Sequence, residues 1–126
     1  MWYNEKMETI KALEKEICNL KNKLMSLGDM HPGSLTKQYN ICGNPSCQCK
    51  DPHNPKKHGP YYQISFVHDK KSTSRFVKKE LVSETKLQLA NYKKFKQLVE
   101  EWKIAATKLS QLKLAEISKL KEAKKD

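Results

Sequence analysis

Three of the four cysteines lie within eight residues, and this is the part of the chain best equipped for chemistry. Cys42, Cys47 and Cys49 follow the spacing C-x4-C-x-C, Gly43-Asn44-Pro45-Ser46 between the first two has the composition of a turn, and His53 and His58 follow. Three thiolates and one imidazole complete a closed tetrahedron of the kind that suits zinc in a structural role. His58 is the preferred fourth ligand, because it stands just before Gly59-Pro60-Tyr61 and can close the loop onto a strand. His53 comes second and His31 third, and two histidines cannot both bind beside three thiolates in a closed site. The expected metal set is therefore Cys42, Cys47, Cys49 and His58. The competing reading is free thiols with scattered histidines; clustering this tight argues against it. Four cysteines are also too few for a disulfide scaffold.

A catalytic metal is not expected. Hydrolytic zinc sites keep an open coordination position and usually place a glutamate nearby as base. No Glu occurs between Glu16 and Glu80. Neither a G-x-x-x-x-G-K-S/T loop nor a G-x-S-x-G elbow is present, and no acid-base pair stands out. The chain is therefore expected not to be an enzyme. Cys18, beside the seam residue Ile17, fits a small, partly buried side chain better than a ligand.

The second chemistry is electrostatic. The formal charge is +11, from 25 Lys+Arg against 14 Asp+Glu, and it is densest in residues 61 to 79, which carry +4. Lys56, Lys57, Lys70, Lys71, Lys78 and Lys79 accompany Tyr61, Ser72 and Ser74. Lysine neutralises phosphate charge and hydroxyls position a backbone, so these residues form a candidate nucleic-acid footprint. Arg75 is the only arginine in the chain. Its fork suits bidentate contact with guanine or a phosphate; the alternative is a strand residue paired with Glu80 or Glu84. The lysines of the last part, offset by acids, fit a solvated helix face instead.

The elements that must position these groups are punctuated by glycine and proline. All four glycines (28, 33, 43, 59) and all five prolines (32, 45, 52, 55, 60) fall between Gly28 and Pro60. Before them, Ile10, Leu13, Ile17, Leu20, Leu24 and Leu27 recur at steps of three and four, which predicts a helix over 4–27 with Asn4 as N-cap and Gly28 at its C-terminal end. Its seam suits either a coiled coil with a second copy or packing inside the chain, and Trp2 and Tyr3 should cap its apolar face. After them, Phe95, Leu98, Trp102, Ala105, Leu109 and Leu112 repeat the spacing in a long helix over 80–123. The stripe then jumps to Ile117 and Leu120, so the seam rotates or the helix breaks near 107–110. A helix of that length spans about 66 Å, which favours a homodimer through the helices.

Between the two lie a metal-binding loop over 28–60 and a β-hairpin over 61–78, with Tyr62, Ile64 and Phe66 on one side and the four-residue connection His68-Asp69-Lys70-Lys71. The loop has few large apolar side chains, Met30, Leu35, Tyr39 and Ile41, so it needs a staple. The fold class is α+β, mostly α, in a single domain over 1–126. No stretch reaches the roughly 20 apolar residues of a membrane span and the start lacks a signal peptide's apolar run, so a cytoplasmic location without membrane contact is expected.

The run Met30-His31-Pro32-Gly33-Ser34-Leu35, then Gln38-Tyr39-Asn40, Cys42-Gly43, Cys47-x-Cys49 and His58-Gly59-Pro60-Tyr61-Tyr62 resembles a small uncharacterised prokaryotic domain family often found beside, or as part of, transposase genes of insertion elements. Ser74-Arg75-Phe76-Val77 and Leu89-Ala90-Asn91-Tyr92 continue the likeness, which covers residues 28 to 105. It implies a mobile-element context and a zinc site in which the HGPYY histidine is His58, but no mechanism. The coupling of a basic hairpin to a following helix is also similar to small DNA-binding modules of recombinases. The expected function is a zinc-stabilised, basic nucleic-acid-binding accessory protein, with DNA ahead of RNA and a transposase as a candidate partner. The alternative is a helix-mediated protein-interaction adaptor without nucleic-acid contact.

Overall fold

A computed structural model describes residues 2–124, with side chains described from 7 to 122. The chain divides into two compact units, one made of residues 1–27 and 94–126 and the other of residues 28–93.

In the first unit, helix α1 (Trp2–Met25) presents the expected stripe: Ile10, Leu13, Ile17 and Leu20 are buried. It meets the C-terminal part of helix α2 (Val82–Lys124). Leu13 and Ile17 form a cluster with Ala105, and Trp102, Ala106, Leu109 and Leu112 pack around it. Burying each leucine or isoleucine contributes about 1.5–3 kcal/mol, so this seam dominates the unit. The helices run antiparallel: Glu14 meets Lys113 at 3.3 Å, and farther along α1 Lys21 lies 5.2 Å from the centre of the Trp102 ring. The exposed ion pair contributes less than about 1 kcal/mol and serves mainly to mark the register. The α1 seam is thus matched within the chain.

Two expectations about the helices need correction, and one pair of alternatives is decided. α1 begins two residues before Asn4, so Asn4 is not its N-cap. It ends at Met25, where Ser26 and Leu27 tighten the last turn by donating to Lys23 and Leu24; Gly28, whose φ is not positive, is not a left-handed cap. α2 runs unbroken through 107–110, and the jump in its stripe appears as exposure of Ile117 and Leu120. The capping role of Trp2 and Tyr3 lies outside the described side chains.

The second unit is a three-stranded antiparallel meander in the order β1 (Ser34–Asn40), β2 (His58–His68), β3 (Lys71–Val77). β2 and β3 form the expected hairpin, but β2 already starts at His58, and His68 pairs with Lys71. The connection is therefore two residues, Asp69 and Lys70, with φ of 49° and 65°. Two positive φ values give the twist that matches antiparallel strands. β1 falls inside the segment expected to be all loop. Its Leu35 pairs with Ile64 and its Lys37 with Tyr62, and the register shifts between Gln38 and Asn40.

Alternation gives the sheet two unlike faces. Leu35, Tyr62, Ile64, Phe66 and Val77 share one, and Ile64 is buried. Val82 and Leu89, at the start of α2, are the other large buried apolar side chains of the unit. Ahead of β1, His31 N–H donates to the Gln88 carbonyl at 3.1 Å and Asn91 Nδ2 donates to the Asp29 carbonyl at 2.8 Å, which fastens the chain to α2. Gly33 is required there: its φ is 113°, and a Cβ would collide with the Ser65 carbonyl oxygen.

Candidate metal centre

The segment 41–57 connects β1 to β2, and Cys49 is its only buried side chain, 1% exposed. Local backbone chemistry shapes it first. Asn44 Oδ1 accepts from the Ser46 N–H at 3.1 Å and from the Ser46 hydroxyl at 2.9 Å, and Cys47 N–H donates to the Asn44 carbonyl at 3.2 Å. This turn brings Cys47 back toward Cys42. A single 3-10 turn, Gln48–Lys50, follows, with Lys50 N–H donating to the Cys47 carbonyl. Lys56 N–H then donates to the Gln48 carbonyl at 3.0 Å and closes the loop on itself.

His58 arrives from the other side as the first residue of β2, paired with Asn40 of β1. The ligand atoms of Cys42, Cys47, Cys49 and His58 all lie within 4.8 Å of one another, close enough to hold a metal ion. Cys42 Sγ and Cys49 Sγ are 3.6 Å apart, and Cys47 Sγ lies 3.2 Å from His58 Nε2. Zinc–sulfur bonds of about 2.3 Å put two sulfurs of a tetrahedron about 3.8 Å apart, and a sulfur and a nitrogen about 3.5 Å apart. The thiol pair matches this edge closely and the imidazole pair is slightly compressed. Cys42 N–H points at Cys49 Sγ, 3.4 Å away, an outer-shell bond of the type that orients a metal ligand.

The electrostatics are uneven across the thiols. Cys42 is lowered to about 6, first by a backbone hydrogen bond with Asn44 and then by hydrogen bonds with His58, Cys47 and Cys49. Burial pushes Cys49 up. A bound cation would favour the thiolate of every cysteine.

The other histidines are elsewhere. His53 is exposed and is held through its backbone N–H, which donates to Asp51 Oδ1 at 2.9 Å. His31 Nδ1 lies 2.6 Å from the Pro32 carbonyl, and its ring meets Phe66 edge-on at 4.7 Å. Cys18 is exposed, not partly buried as expected.

A residue missed in the sequence is Gly59. It has φ of 132°, and a Cβ there would lie 2.8 Å from the Gln38 carbonyl oxygen, so β1 can approach beside His58 only if this residue is glycine. The HGPYY string held the signal, but not the neighbour that makes glycine necessary.

The basic residues do not converge on one spot. Lys56 and Lys57 precede β2, Lys70 and Lys71 form the hairpin tip, and Lys78 and Lys79 follow β3; all six are exposed. Tyr61, Ser72 and Ser74 share one face of the sheet, whereas Arg75 pairs with Ile64 on the other. Its guanidinium lies 5.9 Å from the centre of the Phe66 ring. Among the described residues Arg75 forms no ion pair with Glu80 or Glu84.

A mostly helical α+β chain with a small antiparallel sheet and a Cys3His cluster is the class of protein that these elements define. Residues 10–87 match a domain of unknown function, DUF6788, and the chain belongs to that family. No curated protein and no solved structure matches it.

Proposed function

We propose that this chain is a nucleic-acid-binding accessory protein whose Cys42, Cys47, Cys49 and His58 hold a structural zinc, and that it serves a mobile genetic element. The observation that carries the reading is the set of exposed lysines at the two ends of the sheet. Lys56, Lys57, Lys70, Lys71, Lys78 and Lys79 are exposed, and among the described residues none pairs with a carboxylate. Unneutralised lysines displace counterions from a phosphate backbone and give binding that weakens steeply with salt. The zinc supplies no reaction; it fixes the segment leading into β2 and so the placing of Lys56 and Lys57. The mobile-element context rests on the motif resemblance, with a transposase as a candidate partner.

The test is a salt-dependent titration with DNA and RNA. Lys70→Ala and Lys71→Ala should each weaken binding across sequences and flatten the logarithmic salt slope by about one unit. Unchanged affinity in the double variant, with the fold intact, would move the function to the helices. A second reading has its own support: Leu114, Ile117 and Leu120 of α2 are exposed, which favours association through the helices, either as a homodimer or with a protein partner. Such a complex would survive high salt.

A further inference from the structure

The face of the sheet that carries Tyr61 and Phe76 has an unusual composition. The register places Ser34, Thr36 and Gln38 of β1, Tyr61, Gln63, Ser65 and Val67 of β2, and Ser72, Ser74 and Phe76 of β3 on it. None of these residues is charged, although the chain as a whole carries +11. The charged residues of the strands, Lys37, Lys71 and Arg75, fall on the opposite face.

The polar groups on the uncharged face are largely occupied with one another. Gln38 Nε2 donates to Gln63 Oε1 at 3.1 Å, Thr36 Oγ1 donates to the Gln63 carbonyl at 3.2 Å, and the Ser65 and Ser74 hydroxyls are 3.3 Å apart. Side chains engaged in this way are poorly placed to read base edges by hydrogen bonding. What the face offers instead is aromatic and apolar surface: Phe76 is 76% exposed, Val67 66% and Tyr61 43%. A phenylalanine so exposed contributes little to folding. Phe76 pairs directly with Gln63, and Tyr61 lies two residues along β2. Diagonal neighbours of this kind are about 7–8 Å apart, within the reach of adjacent nucleotides of an extended strand.

We infer that this face is a stacking platform for unpaired bases, and that the preferred ligand is single-stranded nucleic acid. The inference rests on the nucleic-acid reading above and deepens it. A polyanion with flat apolar bases complements an uncharged aromatic floor flanked by exposed lysines at the two ends of the strands, because bases stack on the rings while phosphates reach the lysines. Paired bases inside a duplex keep their faces covered and cannot use Phe76. The platform is tolerant of sequence, since every base has a face to stack.

Titration of the full metal-loaded chain with an oligothymidine strand, and with a duplex of the same length, tests this. The single strand should bind more tightly. Phe76→Ala should weaken it about tenfold while leaving the salt slope unchanged, since no phosphate contact is lost, and Phe76→Tyr should restore it. Metal content and the circular dichroism melt check the fold, which an exposed ring should not disturb. Parent-like affinity in Phe76→Ala and in Tyr61→Ala would overturn the platform while the lysine reading stands. Tighter binding to the duplex would also overturn it and assign the face to a groove. Failure to bind any nucleic acid would end both readings together.

Discussion

The helical unit and the cysteine segment are ordered by different physics. In the first, Ile10, Leu13, Ile17 and Leu20 of α1 and Leu98 and Ala105 of α2 are all buried, and apolar area removed from water sustains the fold. Between residues 41 and 57, Cys49 alone is buried. Turn bonds shape this segment, and a metal held by the four converging ligand atoms would do there what a core does elsewhere. A chain with breakers and lysines instead of leucines can still be ordered, provided another source of free energy replaces burial, and the two regions should then fail under different insults.

The largest contrast should come from metal removal. The purified protein should carry about one zinc per chain, since four ligands complete one tetrahedron. Structural zinc is worth about 10–16 kcal/mol in small metal-folded domains, so Cys47→Ser or a strong chelator should abolish amide protection over 41–57 and leave that of α1 in place, as read by hydrogen exchange. His58→Ala should behave in the same way, and His53→Ala should retain the metal; the reverse order would reassign the ligand. Loss of α1 protection on chelation would break the comparison outright.

Leu13→Ala is the converse test. It removes a buried side chain from the cluster with Ile17 and Ala105 and should cost about 2–5 kcal/mol in a denaturation experiment while zinc content stays unchanged. Gly59→Ala sits at the boundary of the cysteine segment. Its positive φ and the close Gln38 carbonyl should make it destabilising by about 1–3 kcal/mol, with weaker metal retention in a competition assay because His58 is displaced. Parent-like retention would show that β1 can yield at this point. The smallest effect should be at the hairpin tip: Lys70 has φ of 65°, and Lys70→Gly should raise stability by less than about 1 kcal/mol in a thermal melt.

What could be read from the sequence follows the same division. The α1 seam was legible because burial on a helix imposes a period of 3.6, and Ile10 through Leu20 keep it without interruption. The metal cluster was legible because ligand types are few and their spacing is local. β1 was not, since six of its seven residues are exposed and no alternation marks a strand that buries almost nothing. The two-residue turn was obscured because neither Asp69 nor Lys70 is a glycine. The opposite facing of Arg75 and Ser74 was implicit in their adjacency, but the paired register was needed to show which of them shares a face with Ile64.

A three-stranded meander leaves two rows of unpaired backbone groups, along β1 and along β3. Such rows template growth, because a second copy can add its own strand and continue the ladder. Here both borders carry cations: Lys37 on β1, and Lys71 and Arg75 on β3, followed by Lys78. Two like borders meeting would bring these charges together, and the register shift between Gln38 and Asn40 further spoils a flat match. Positive charge on both borders therefore disfavours edge-to-edge growth of the sheet, and neutralising the lysines by acetylation should raise its tendency to aggregate.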